Sequence, residues 1–504
     1  MCSLSAKGYR FLKNVVVFSV SFQGFVLYIN RLKTVARGRG EKKMRKEYPL
    51  TAAQNMHYQW IREYGTQQVS GVSIVASLKA EIDFGLLKKC IQLETERYGC
   101  MRLRFTKPDD KGEIKQYLVK HDSRDIELKD LSGMTLKEAD DLMQQWAYET
   151  LDGDNRPMCE VIMLKLPEGY NGFFIHMDHR LIDSCGLVVL VNDLMQLYTH
   201  FRFGTDYPAD LADFEKVLET DLQKASNEKR FARDKKFWDD QLDTLGEPLY
   251  SDIQGPGVLE EARKKHKNKK LRAADIERKE LFVAVKDYVL EPESTKGLMD
   301  FCMNHQLSMT NLLLLGIRTY LQKVNNGQED ITIENFISRR STHDEWTSGG
   351  SRTIMFPCRT VIPADMDFMS AAYEIQNVQN RIYMHSNYDP ALIREEMKKR
   401  YKTPDDTTYE SCYLTYQPMP VSVDNPVLKG IDVHSKWFAN GAATKKMYLT
   451  VSHTKDGGMN FSYHYQTVKL TEKDMELLYY YMMRILFMGI SNPDMKIGEI
   501  IDAV

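Results

Sequence analysis

The sequence predicts an α/β protein of the α+β sandwich kind, built as two comparable halves. Three observations predict it. Helix-period and strand-period segments alternate in two successive rounds, a charged stretch separates the rounds, and 43% of the 504 residues are apolar, enough to bury a sizeable core. The charge is mixed, 68 Lys plus Arg against 70 Asp plus Glu, without the basic surplus expected of a nucleic-acid protein. The eight cysteines are scattered, with no C-x-x-C pair and no metal-ligand spacing with His. That pattern predicts reduced thiols in a cytoplasmic protein and no structural metal.

Residues 1–43 form a leader unlike the rest, with nine basic residues and one acid, so the remaining residues are net acidic. Its apolar run, Val15 to Ile29, is shorter than the roughly 20 residues that span a bilayer. Asn30-Arg31-Leu32-Lys33 follows where a signal peptide would place small residues. Three readings stay open: an extension outside the native product, an interfacial anchor, or an uncleaved signal. Membrane association is expected only through this leader.

The N-terminal half is assigned to residues 44–215. Thr51-Ala52-Ala53-Gln54 is a capping box that opens a helix ending near Gly65. Val72 to Leu78 predicts a strand, Phe84 to Tyr98 a helix and Cys100 to Phe105 a strand. A second capping box, Thr135-Leu136-Lys137-Glu138, opens a helix reaching about Thr150. Two strands follow, Cys159 to Leu166 and Gly172 to Asp178, joined at the turn Pro167 to Asn171. They lead into a helix with Leu187, Leu190, Val191, Leu194 and Leu197 on one side.

Residues 216–280 are a charged connector, with Glu215 to Leu242 helical and Glu260 to Lys279 a solvated loop or helix. The C-terminal half, residues 281–504, begins with the strand Leu281 to Val289 and helices at Glu293 to Gln306 and Met309 to Val324. Strands are expected at Ile331 to Ile337, Ile354 to Val361, Tyr409 to Gln417, Lys446 to His453 and Met459 to Tyr465. A last helix opens at Thr471 and runs through Leu486.

The chemistry points to His176-Met177-Asp178-His179-Arg180-Leu181-Ile182-Asp183-Ser184. Side chains alternate along a strand, so His179 shares a face with Phe173, Ile175 and Met177, while His176 and Asp178 face the other way. The two histidines therefore do not converge on a metal. A histidine at the end of an apolar strand, with an Asp four residues on, is suited to a general base held in a cleft. Ser184 and Cys185 lack a nucleophile elbow, and Gly349-Gly350-Ser351 lacks the G-K-[ST] continuation of a phosphate loop.

The surrounding sequence resembles the condensation-domain family of nonribosomal peptide synthetases, within the chloramphenicol-acetyltransferase-like H-H-x-x-x-D-G superfamily. Six blocks carry the resemblance in order. Tyr48 to Gln54 is similar to the family's "S/T-x-A-Q" opening, Arg97 to Phe105 to its "R-H-x-x-L-R-x-x-F" block, and Asp178 to Ser184 to "H-H-x-x-x-D-G". Phe237-Trp238-Asp239-Asp240-Gln241-Leu242 resembles "Y-W-x-x-x-L". Asn326 to Ile331 with Arg339-Arg340 resembles "G-x-x-D-…-x-x-R", and Tyr413 to Pro418 an "f-N-y-Q" strand. Asp178 replaces the first histidine, Ser184 the glycine, and Thr415 stands where many relatives have Asn.

The resemblance implies two chloramphenicol-acetyltransferase-like halves in a V-shaped pseudo-dimer with a tunnel between them. It implies His179 as the catalytic residue and Asp183 paired with Arg102 as support for its loop, while Trp60 and Trp238 pack. Asp178, Ser184, Thr415 and Gln417 are expected along the substrate tunnel. The implied reaction is direct acyl transfer from a thioester, on carrier-protein phosphopantetheine or on CoA, to an amine or alcohol, with no tightly bound cofactor and no metal. The chain is expected to be a free-standing monomeric enzyme, and the basic run from Arg263 to Arg272 is a candidate entrance for the anionic donor. A catalytically silent module that recruits a carrier protein or tailoring enzyme is the alternative, and a metal-dependent hydrolase is disfavoured.

Overall fold

A computed structural model describes residues 45–151, 155–418 and 426–504, so the leader and its three readings lie outside the described residues. The first capping box forms as the sequence predicts. Thr51 Oγ1 accepts from the Gln54 amide at 3.3 Å, and the Gln54 side chain accepts from the Thr51 amide at 2.9 Å. Helix α1 (Ala52–Tyr64) ends at Gly65, whose φ of 68° lets the chain turn away in the left-handed conformation.

The elements that follow are β1 (Gly71–Leu78), α2 (Phe84–Arg97), β2 (Leu103–Phe105), β3 (Gln116–Leu118), β4 (Leu128–Asp130), α3 (Leu136–Trp146), β5 (Cys159–Lys165), β6 (Asn171–Asp178) and α4 (Ser184–Phe203). The strand expected from Cys100 begins only at Leu103, because Gly99–Arg102 forms a 3-10 turn. Strand β6 shows why this sheet is two-sided. Phe173, Ile175 and Met177 join a core with Leu187, Leu190 and Leu194 of α4, while Phe174 joins a second core with Ala139 and Met143 of α3. Each fully buried Phe or Ile contributes roughly 1.5–3 kcal/mol, so the strand that carries the motif is anchored on both faces.

The connector holds α5 (Phe214–Ala225), α6 (Glu228–Leu245), α7 (Gly257–Lys265) and β7 (Ala274–Asp275). The helical stretch expected from Glu215 to Leu242 is thus two helices. Asn227 starts the second by accepting from the Arg230 amide at 3.0 Å, which competes with continuing the first. In the basic run, Arg263 pairs with Glu260, and Lys265 and His266 with Asp275, so part of its charge is neutralised locally.

The second half comprises β8 (Val283–Leu290), α8 (Pro292–Asn304), α9 (Met309–Val324), β9 (Asp330–Ser338), α10 (His343–Thr347), β10 (Thr353–Val361), α11 (Phe368–Met384) and α12 (Pro390–Tyr401). It continues with β11 (Thr407–Thr408), β12 (Cys412–Gln417), β13 (Val433–Phe438), β14 (Met447–His453), β15 (Met459–Gln466), α13 (Glu472–Ser491) and α14 (Ile497–Ala503). Six strands pair in the order β10-β9-β12-β14-β15-β8, with β12 parallel to both neighbours. One strand departs from the sequential division at residue 281. Strand β13 leaves this half and pairs antiparallel with β1, Ser73 opposite Phe438, at the edge of the first sheet, whose order is β13-β1-β6-β5-β4. Among the described residues, no helix is long and apolar enough to cross a membrane.

Candidate active site

The motif follows β6 directly. The His179 amide donates to the Ser70 carbonyl at 2.6 Å and the Leu181 amide to the Asp178 carbonyl at 2.9 Å, which turns the chain sharply toward α4. Asp183 caps that helix, its Oδ1 accepting from the Gly186 amide at 3.0 Å. The same carboxylate takes a two-pronged contact from Arg340, Nη2 to Oδ1 at 2.7 Å and Nη1 to Oδ2 at 2.8 Å. Oδ2 also accepts from the Arg352 amide, the Thr353 amide and the Thr353 hydroxyl, at 2.9–3.0 Å. Burial alone would push this carboxyl up. Arg340 and the amide donors overcome it and hold Asp183 well below the usual carboxylate range. The pair is sealed from solvent, the side chains of Asp183 and Arg340 being 1% and 0% exposed.

This corrects the expected partner. Arg102 does not reach Asp183. Set in the 3-10 turn before β2, it donates to the carbonyls of Val119 and Lys120 at 3.0 and 3.1 Å. Asp183 instead faces the other half, where Arg340 follows β9. Gly349 lets the Arg340 loop lie this close: its φ is 78°, and a Cβ there would stand 2.5 Å from Cys100 Sγ. The glycine pair that resembled part of a phosphate loop is therefore a packing device between the halves.

His179 is half-buried and its Nδ1 makes no aligned hydrogen bond. Burial lowers its pKa below the ordinary histidine value, against the opposing pull of Asp183 and Asp178 and of the carbonyls of Ile182 and of His179 itself, so the ring is neutral near pH 7. It stacks on His57 of α1, with centroids 4.5 Å apart and planes 10° apart. Burial, and then His179 beside it, pushes His57 well below the ordinary value too. Gln54, one turn before His57, donates to the Arg180 carbonyl at 3.1 Å and so ties α1 to the motif loop. Sequence reasoning missed His57, although it lies only three residues past the "S/T-x-A-Q" block.

Asp178 is fully buried, not a tunnel residue as expected. It accepts from the Arg180 amide at 2.7 Å, from Arg180 Nε and Nη2 at 2.9 and 2.8 Å, from Gln67 at 2.6 Å and from the Ser70 hydroxyl at 3.1 Å. Burial opposes its charge, but Arg180 prevails and keeps the carboxyl low. His176, on the same face, is equally committed, Nδ1 to Ser73 Oγ at 2.7 Å and Nε2 to the Glu149 carbonyl at 3.0 Å. Thr415 is buried as well, its hydroxyl accepting from Tyr448 at 2.9 Å. Ser184 and Gln417 are half-buried and meet across the halves, Gln417 Nε2 donating to Ser184 Oγ at 3.0 Å. Ser184 is the first residue of α4 and has no positive φ, so the missing motif glycine leaves no backbone strain. Trp238 packs on Phe356, whereas Trp60 faces a cavity with the Lys445 ammonium 3.4 Å from its ring centroid.

A family model described as Condensation domain matches residues 44–501. The chain belongs to the condensation-domain family. Over 468 residues this condensation domain is 22% identical to surfactin synthase subunit 1 of Bacillus subtilis (strain 168), covering 90% of this chain and 12% of that protein. It is 19% identical over 460 residues to a plipastatin synthase of the same organism, covering 90% of this chain and 17% of that protein. The chain thus spans less than a fifth of the length of these curated relatives. Its fold matches the first condensation domain of the calcium-dependent antibiotic synthetase in complex with a substrate analogue, with a TM-score of 0.71 at 16% identity over 90% of this chain and 98% of that one. The starter condensation domain of rhizomide synthetase in complex with C8-CoA matches with a TM-score of 0.72 at 15% identity, over 90% and 97%.

Proposed function

We propose that this condensation domain is an acyltransferase that moves an acyl group from a thioester donor to an amine or alcohol acceptor. The donor is held on a carrier-protein phosphopantetheine or on CoA, and the product is an amide or ester. The observation that carries this reading is the neutral, partly accessible ring of His179, fixed by Asp183 and Arg340 at its loop and by His57 at its face. A neutral imidazole takes the proton that the acceptor loses as it attacks the thioester carbonyl, then passes it to the departing thiolate. The acyl group goes directly to the acceptor, with no bond to the protein. Holding both substrates against a rigid ring supplies much of the barrier reduction. The C8-CoA complex of the rhizomide synthetase domain supports CoA as one donor class.

The test is turnover of acyl-CoA and acyl-carrier donors with a panel of amines and alcohols, comparing the chain with His179→Ala. Equal turnover in both refutes the role of His179. The second reading, a silent module that binds a carrier protein or tailoring enzyme, draws on the Ser184–Gln417 bond, which fills with a side-chain contact the position that the motif leaves to glycine. Carrier binding without any turnover would select it.

A further inference from the structure

Gln54, His57 and Trp60 stand three residues apart on α1, so they follow one another along one side of the helix. That side meets the motif loop. Gln54 donates to the Arg180 carbonyl at 3.1 Å, and one turn on, His57 lies face to face with His179, centroids 4.5 Å and planes 10° apart. Gln54 is itself held by Gln116 at 2.7 Å, and Gln116 donates in turn to the Pro49 carbonyl at 2.8 Å, which fixes the helix in register with the loop. Trp60 closes the other side of the ring, meeting His57 edge-on at 5.0 Å.

A histidine buried for the sake of the fold is bonded at its ring nitrogens, as His176 is at both. His57 differs. It is 5% exposed, yet its Nδ1 has no hydrogen-bond partner among the described residues. The groups around it also keep it neutral. Burial, then His179, Lys445 and Arg180, all oppose a proton on His57, and only Asp183 favours one. Lys445 acts from beyond Trp60, its nitrogen 3.4 Å from the centroid of that ring. His179 is opposed by burial but has both Asp183 and Asp178 in its favour. A proton delivered to the stack therefore resides on His179, and a second is repelled.

We propose that His57 is a positioning residue that presents an uncharged aromatic face to His179 and steadies the positive charge which that ring acquires when it takes a proton. An aromatic face within about 6 Å of a cation attracts it, and more strongly where water is excluded. This face is in place before the charge forms, so nothing has to reorganise as the proton arrives. The inference rests on the acyl-transfer reading for the step at which the charge forms, but not for the effect of the stack on the His179 proton.

The experiment compares His57→Leu, which keeps apolar bulk without a ring, with His57→Phe, which keeps a flat neutral face. Transfer kinetics are one readout. The other is NMR titration of the full chain with labelled histidine rings, the His179 signal being the one that His179→Ala removes. His57→Leu should lose about tenfold in kcat with KM within about twofold, and should hold the His179 proton at least about threefold more weakly. His57→Phe should recover most of both losses. Thermal unfolding checks that each variant folds, and His57→Met, also without a ring, replaces His57→Leu should that one not fold. A His179 proton held as tightly in the ringless variant as in wild type, or His57→Phe falling as far as His57→Leu, would overturn the proposal. A weakened His179 proton in His57→Leu, with no transfer by the wild type from any donor, would sink the acyl-transfer reading and leave the role of His57 standing.

Discussion

Removing Arg340 tests how the catalytic loop is held. In Arg340→Ala, the Asp183 carboxylate keeps its bonds from the Gly186, Arg352 and Thr353 amides and the Thr353 hydroxyl, but loses both guanidinium contacts and the positive charge they carry. Stripping one partner from a buried ion pair costs about 3–5 kcal/mol, and the surviving donors put this case near 3. Arg102→Ala is the control. It breaks two bonds to carbonyls and should cost only about 1 kcal/mol. Urea unfolding followed by tryptophan fluorescence, repeated across pH, measures both. Asp183 has a depressed folded pKa, so its stabilisation is present above the unfolded value of about 3.9 and is lost as pH falls through the folded value. In the variant the unpaired, buried carboxyl titrates higher. The gap between wild type and Arg340→Ala should thus be full at pH 7 and narrow as the solution is acidified through the carboxylate range. A loss below about 1 kcal/mol, a gap independent of pH, or an equal loss in Arg102→Ala would refute the assignment.

His179→Ala should leave the unfolding midpoint within about 1 kcal/mol of wild type and lower transfer by about 10²–10⁴-fold. Because burial depresses the His179 pKa, the acid limb of kcat/KM should fall below pH 6.5, and a limb above that value would contradict the neutral base. Gly349→Ala forces a Cβ onto Cys100 Sγ at positive φ and should cost about 1–3 kcal/mol, measured by thermal unfolding. Gln417→Ala removes the bond to Ser184 and should cost about 0.5–1.5 kcal/mol, with KM for the acceptor changing more than KM for the donor.

Local structure is legible in the sequence. The capping boxes at Thr51 and Thr135 both form and the last helix opens at Thr471 as expected, because the bonds that start a helix lie within one turn. The alternation along β6 places His179 apart from His176, and the ordered blocks point to the family. What depends on distant residues is not legible. Arg102 is the arginine that the "R-H-x-x-L-R-x-x-F" resemblance offers, whereas the true partner of Asp183 lies 157 residues downstream, in the Arg339-Arg340 turn that belongs to a different block. Apolar periodicity does not single out helices α11 and α12, although Asp367 and Asp389 cap them and Pro390 opens the second. The charged residues lining the cavity beside Trp60 come from α12, β9 and the turns before β12 and β14, and no spacing in the sequence announces that Glu334, Glu410 and Lys445 share one space.

Strand β13 has a consequence for anyone wishing to divide this chain. A cut in the charged connector would give an N-terminal fragment whose β1 offers a bare edge to solvent, and a C-terminal fragment trailing Val433–Phe438 with nothing to pair with. Neither piece should be soluble by itself. The two expressed together should reassociate through that strand, and a synthetic peptide of the β13 sequence should compete with the reassembly.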